Sequence, residues 1–193
     1  MTPANTSTSA SSTRDRLLDA AAELFYREGV HVGVEALCRT AGVSKRSMYQ
    51  LFGSKDEVVA ASLERRVPDY TARMVPAAEV GRSPRERILH VFRSLEELSA
   101  DPAFRGCPFA ATAVELKSPE HPAHEVARAY KDALTRFFRR EAERGGAREP
   151  ELLARQLTVV FDGSSVWGVV QARGIDGLAV ATATTLLDAA GVE

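Results

Sequence analysis

Between Ala36 and Lys55 every charged side chain is basic: Arg39, Lys45, Arg46 and Lys55, with no acid among them. Cations clustered in this way can neutralise the phosphates of a nucleic acid, the part of DNA binding that does not depend on base sequence. The same stretch contains Ala41-Gly42-Val43-Ser44, which supplies a glycine for a positive-φ corner, a valine to pack inward and a hydroxyl to cap a helix. Lys45-Arg46-Ser47-Met48-Tyr49-Gln50-Leu51-Phe52 follows and reads as a helix of about two turns. Met48, Leu51 and Phe52 are spaced to face a core, which leaves Lys45, Arg46, Ser47, Tyr49 and Gln50 free to face a groove. Arginine and lysine pair with guanine, and glutamine with adenine, in the major groove. Lys45, Arg46 and Gln50 are therefore the candidate base readers.

These side chains need elements to hold them, and the surrounding pattern is helical throughout. Over 13–28, Leu17, Leu18, Ala21, Leu24 and Phe25 fall at helical spacing, with Thr13 as the expected N-cap and Gly29 as the stop. A short helix over 34–40 precedes the Gly-containing turn, so the first fifty-odd residues have the form of a helix-turn-helix. Ser54 caps a fourth helix, with Asp56 and Glu57 in its first turn, running to about Arg66 or somewhat beyond, with Pro68 and Pro76 expected to bend or break it. Ser83-Pro84 opens the next. An apolar segment over 104–116 is expected to be a helix kinked at Pro108. A long helix carries Val126, Tyr130, Leu134, Phe137 and Phe138 to a stop at Gly145-Gly146, and final helices span 150–172 and 176–190. The expected fold class is all-α, with about nine helices.

Composition narrows the alternatives. The chain is 45% hydrophobic and 26% charged, ordinary for a globular protein, and its net charge of −1 means that any basic surface must be local. No run approaches the roughly 20 apolar residues of a membrane helix, so no membrane partner is expected. Met1-Thr2-Pro3-Ala4-Asn5 and the Ser/Thr residues after them lack the basic and apolar regions of a secretory signal, and 1–12 are expected to be a disordered tail. Cys38 and Cys107 lie far apart, which fits free thiols and a cytoplasmic location. His121 and His124 are flanked by Glu120 and Glu125, but the flanking prolines put them at a helix start and no third ligand is evident; no metal is expected. There is no nucleophile motif or phosphate loop, so neither catalysis nor a cofactor is expected.

The run from Ala41 to Glu57, with Tyr49, Phe52, Lys55 and the acids Asp56 and Glu57 in register, resembles the signature of the tetracycline-repressor (TetR) family; Glu23-Leu24-Phe25 with Gly29 resembles that family's first helix and its exit. The resemblance implies a homodimeric repressor that binds a palindromic double-stranded DNA operator and is released by a small-molecule effector of unknown identity. It implies a helix-turn-helix domain over 13–58, a fourth helix continuing to about 75 as connector, and a ligand-binding and dimerisation domain over 76–193. By matching position the DNA-binding set is Ser44, Lys45, Arg46, Ser47, Tyr49, Gln50 and Lys55. Lys55 would grip phosphate; Tyr49 would touch backbone or a thymine methyl, or else pack against the first helix. Gly33-Val34 stands where the family commonly carries a phosphate-contacting threonine, and Arg46 where it often carries glycine; an unusual operator is expected.

The resemblance also implies dimerisation through the last two helices, for which Phe161, Ser164, Gly168, Leu186 and Leu187 are the candidates. Small residues there could equally pack inside one subunit. A ligand pocket would draw on Phe92, Leu95, Phe104, Cys107, Phe109, Leu116, Tyr130, Leu134 and Trp167, each of which could instead be plain core. Cys107 is either a redox-reactive thiol or a buried inert one. Two other functions remain open at this point: a ligand-binding protein of the same fold without specific DNA recognition, and a small helical enzyme.

Overall fold

The computed structural model describes residues 12–77 and 82–193; apart from Ser12, the tail expected over 1–12 lies outside the described residues. Among these there are nine helices and no strand: α1 (Thr13–Glu28), α2 (Val34–Ala41), α3 (Lys45–Leu51), α4 (Lys55–Met74), α5 (Pro84–Ser99), α6 (Pro108–Glu115), α7 (Pro122–Arg144), α8 (Pro150–Gln171) and α9 (Leu178–Ala190).

Local chemistry sets the boundaries. Ser12, rather than Thr13, caps α1, its Oγ accepting from the Asp15 backbone N–H at 3.0 Å. Ser83 and Glu86 form a reciprocal capping box at the start of α5, with Pro84 just inside. Two prolines behave differently from the sequence expectation. α4 runs unbroken through Pro68 to Met74, reaching the length expected of a connector to about 75 but without the break expected at Pro68. Pro68 deprives the Glu64 carbonyl of its helical donor, a loss of about 3 kcal/mol. Beyond it, Tyr70 meets the rings of Phe109 and Tyr130 edge-on at 5.6 Å, and Met74 is fully buried; burying side chains of this size offsets a comparable amount. The helix ends at Val75, directly before Pro76. Pro108 likewise does not kink a helix over 104–116. It occupies the first position of α6, where no N–H is required, and 104–107 are loop, with Gly106 at φ +82.

α1 packs on α2 and α4, α4 on α5 and α7, α7 on α6 and α8, and α9 closes against α5 and α8. The core is continuous: Leu17, Leu37 and Met48 at one end connect through Val58, Val59 and Leu63 of α4 to Ile88, Phe92, Phe138, Leu157 and Phe161 at the other. An ion pair lies inside it, Arg87 of α5 with Glu141 of α7, at 3.1 Å and almost wholly buried.

Candidate nucleic-acid interface

The turn between α2 and α3 is built as the residue types require. Gly42 takes a left-handed conformation, φ 63 and ψ 35, and Val43 N–H donates to the Cys38 carbonyl at 3.0 Å. Ser44 then caps α3, its Oγ accepting from Ser47 N–H at 3.0 Å and lying 2.8 Å from Ser47 Oγ. Met48 anchors the helix in the core with no exposure. Leu51, expected inward, is instead 40% exposed. α3 ends at this residue, and Phe52 reaches the core through extended backbone at φ −140 rather than by continuing the helix, so Leu51 is left at the rim. Lys45, Arg46, Tyr49 and Gln50 are all exposed and, at helical spacing, share the face opposite Met48; Ser44 is exposed and Ser47 half-buried. Tyr49 is 53% exposed.

Two of the cations are already engaged. Lys45 Nζ lies 2.5 Å from Glu35 Oε1 of α2. This contact raises the pKa of Lys45 and lowers that of Glu35, in each case first through their mutual hydrogen bond. Lys55 Nζ donates to the Val30 carbonyl at 2.5 Å and sits 5.9 Å from the centre of the Phe25 ring. Arg46, by contrast, has no partner among the described residues. The start of α2 lacks any side-chain cap, since Gly33 occupies the N-cap position. A Cβ at Gly33 would meet nothing within 4 Å. Gly33→Thr is therefore expected to stabilise the fold by roughly a few tenths of a kcal/mol and to restore a hydroxyl on the basic face; a lower melting temperature would contradict this.

The helix-turn-helix is tied to the rest of the chain by hydrogen bonds that sequence reading did not anticipate. Glu115, the last residue of α6, accepts from Val30 N–H at 2.8 Å, so the Val30 backbone is held at its N–H by Glu115 and at its carbonyl by Lys55. Tyr26 Oη donates to the Gly106 carbonyl at 3.1 Å and accepts from Arg105 N–H at 2.9 Å; burial pushes its phenol up. His121 caps α7 through Nδ1 and places Nε2 3.3 Å from Asp56 at the start of α4, so its ring is spent on structure.

The candidate pocket residues do not line one chamber. Phe92 and Leu95 are fully buried, Phe92 stacking on Phe138 at 5.7 Å. Leu134 is buried, and Leu116 and Trp167 are half-buried, the latter under the Arg173 guanidinium. Phe104 borders an open cleft of about 450 Å3 beside Gly168. Cys107, Phe109 and Tyr130 do come together, with Phe109 stacked on Tyr130 at 3.9 Å. An open cleft of about 690 Å3 runs between α4 and α7, lined by Val67, Pro68, Val126, Ala129 and Tyr130 among others.

Of the candidate dimer residues, Phe161, Gly168 and Leu187 face the chain's own core, and Ser164 and Leu186 are half-buried. A Cβ on Gly168 would lie 3.3 Å from Phe104, so this glycine serves close packing within the subunit. The apolar surface of α8 lies on the opposite side: Leu152, Val159, Gly163, Val166 and Val170 form one stripe, Val159 and Val170 being 70% and 71% exposed.

Residues 17–62 match the family model of the bacterial regulatory proteins, tetR family. The fold matches, at a TM-score of 0.91, a protein of Streptomyces avermitilis MA-4680 assigned to the TetR transcriptional regulators; sequence identity is 57%, covering 94% of this chain and 100% of the other. CifR, a TetR family regulator solved as a cysteine mutant with 26-bp double-stranded operator DNA, matches at a TM-score of 0.77, covering 91% of this chain and 96% of that one. At 22% identity that likeness is one of fold. The HTH-type transcriptional activator FasR of Mycolicibacterium smegmatis is 37% identical over 76 residues, which cover 39% of this chain and 35% of FasR; this chain thus spans about a third of that curated relative. With the first helices matching the family model and the whole chain matching a 57% identical relative, the protein belongs to the TetR family of transcriptional regulators.

Proposed function

We propose that this chain is a cytoplasmic repressor that binds a palindromic operator as a homodimer and is released by a small-molecule effector. The observation that carries this is the outer face of α3, where Lys45, Arg46, Tyr49 and Gln50 stand exposed while Ser44 and Met48 fix the helix from behind. Arg46, with no partner to leave, is the strongest base reader; Lys45 must first give up Glu35. Surface pairs of that kind are worth little in water, so the exchange is cheap. Lys55 keeps its Val30 bond with one ammonium proton and offers the others to phosphate. The fold of CifR, which is solved on its operator, supports the same docking here. No helix among the described residues is long and apolar enough to cross a membrane. A division at about residue 75, with α1 to α3 as the DNA-binding part and α5 to α9 as the effector and dimer part, is supported by the packing of α4 on α1 and on α5 and α7.

The exposed stripe of α8 supports dimerisation. Gly163 has open space where a Cβ would stand, which lets a second helix approach, and valines flank it on the same face. A two-fold axis through this stripe would pair it with itself and set two copies of α3 about one DNA turn apart.

The test is a gel shift at physiological salt on operator DNA. Tyr49→Ala and Arg46→Ala are each expected to weaken binding by about 1–3 kcal/mol with the dimer intact. Lys55→Met should also flatten the salt dependence, by about one unit of slope. Unchanged affinity in all three would refute the assignment of α3 and Lys55 to DNA.

A further inference from the structure

Arg14, in the first turn of α1, is exposed and makes no hydrogen bond or ion pair among the described residues. Its guanidinium carbon instead lies 5.2 Å from the centre of the Phe52 ring. Phe52 closes α3 and is 7% exposed, so a side chain from the start of the first helix is seated on the exit of the recognition helix. Gly53, Ser54 and Lys55 follow directly in the chain. Lys55 is seated in the same manner, 5.9 Å from the centre of the Phe25 ring, which is also 7% exposed. Two buried phenylalanines of one small domain thus each carry a cation.

A solvated surface arginine would account for the exposure of Arg14. It does not account for a seat on an aromatic ring with all five N–H donors unspent. A ring holds a guanidinium through its charge and leaves the donors free. Held in this way, the side chain loses less freedom when it grips a further group, and its planar fork matches the oxygens of a phosphate. The acids beside it are already engaged. Asp15 accepts from Ser12 Oγ at 2.6 Å and pairs with Arg65 at 3.0 Å, while Asp19 pairs with the same Arg65 at 2.6 Å. At the turn into α4, Glu57 accepts from Gly53 N–H at 3.0 Å, and Asp56 faces His121 at 3.3 Å. The charge of Arg14 therefore stays open to solvent.

We propose that Arg14 is a DNA-backbone contact, which stays on the Phe52 ring and gives its N–H fork to a phosphate on the strand that the α3–α4 turn approaches. This makes α1 a DNA-contacting element beside α3 and the start of α4; the placement rests on the reading of α3 and Lys55 given above. A phosphate contact carries no base information, but it fixes the orientation of the domain on the duplex. Through Phe52, Arg14 also braces the exit of α3. It is a positioning residue for Arg46 and Gln50 rather than a further base reader. Lysine at this position would restore the charge but neither the stacking plane nor the fork.

The test follows duplex binding of the full chain by fluorescence anisotropy at several salt concentrations, on an operator selected from random DNA and on a scrambled duplex of the same length. Arg14→Met, which keeps an unbranched chain against Phe52, is expected to weaken binding to both duplexes by the same factor, about tenfold. It should also reduce the slope of log affinity against log salt by about 0.9 for each protomer in contact. Arg14→Lys is expected to keep the slope and to lose about threefold in affinity. Arg93→Met, which removes an exposed cation of α5, should leave both quantities unchanged. Melting curves identify a purely structural role, in which Arg14→Met would lower the melting temperature and leave the slope as it was. An unchanged slope in folded Arg14→Met overturns the proposal. So does a loss confined to the selected operator, because that would make Arg14 a base reader. Absence of sequence preference in the natural chain would remove the reading of α3, while a slope that depends on Arg14 would leave the contact standing. A selective operator with a slope indifferent to Arg14 would do the reverse, and no binding to either duplex would remove both.

Discussion

Replacing Glu141 with alanine is expected to destabilise the protein by about 3–5 kcal/mol. Glu141 has no exposed surface, and Arg87, 3.1 Å away, is 4% exposed. Without the carboxylate, Arg87 keeps, among the described residues, the Ala77 carbonyl, at 3.0 Å, and the Phe137 ring, 5.7 Å from its guanidinium carbon, and neither balances a buried charge. Arg144 also reaches Glu141, at 2.6 Å, but its side chain is 55% exposed and turns to water at little cost. Arg144→Ala is accordingly expected to change stability by about 1 kcal/mol or less. Replacing both members of the buried pair, Arg87→Met with Glu141→Leu, should recover much of the loss. Urea denaturation of the three variants measures this; equal losses for Glu141→Ala and Arg144→Ala would contradict it.

A charge placed on the α8 stripe is expected to dissociate the dimer. Val166 is 55% exposed in the single chain and lies on one face with Val159 and Gly163. Because a two-fold axis repeats every substitution, Val166→Arg sets like charges near each other in an apolar contact. A loss of about 2 kcal/mol or more, roughly thirtyfold in dimer dissociation constant, is expected. Operator affinity should fall with it, since each half-site would then bind alone. Sedimentation velocity measures the first effect; an undisturbed dimer would place the interface elsewhere.

Much of the molecule was legible in the sequence where local chemistry decides it. Gly42, Ser44, Ser54 and the Ser83-Pro84-x-Glu86 run set turns and caps that need no distant partner, and periodicity located the helices. What eluded the sequence depends on tertiary context. The passage of α4 through Pro68 depends on Tyr70 and Met74 having partners on other elements. Leu51 has the spacing of a core residue, but its helix ends too soon to bury it. On α8, apolar residues lie on two faces, and periodicity cannot say which one the subunit itself uses; Phe161 and Gly168 went inward and the valines outward. Some signals were present and unread. Glu141 and Lys131 interrupt the apolar stripe of α7, beside Phe137, Phe138 and Ala142 and between Ala127 and Leu134 respectively. Charged residues in such places need partners, here Arg87 for Glu141 and Asp162, with Cys107 beside it, for Lys131. The engagement of Lys45 by Glu35 and of Lys55 by Val30 carried no such signal, because both join separate helices or turns.

The most direct measurement is a selection of bound sequences from random double-stranded DNA at physiological salt, run on the natural chain and on Arg46→Ala. Recognition by α3 in a two-fold dimer predicts an inverted repeat with half-site centres about 10 bp apart, in which Arg46→Ala relaxes preference at one symmetric pair of positions and leaves the spacing unchanged. No enrichment, an enriched site without two-fold symmetry, or identical sites for the natural chain and Arg46→Ala would contradict it.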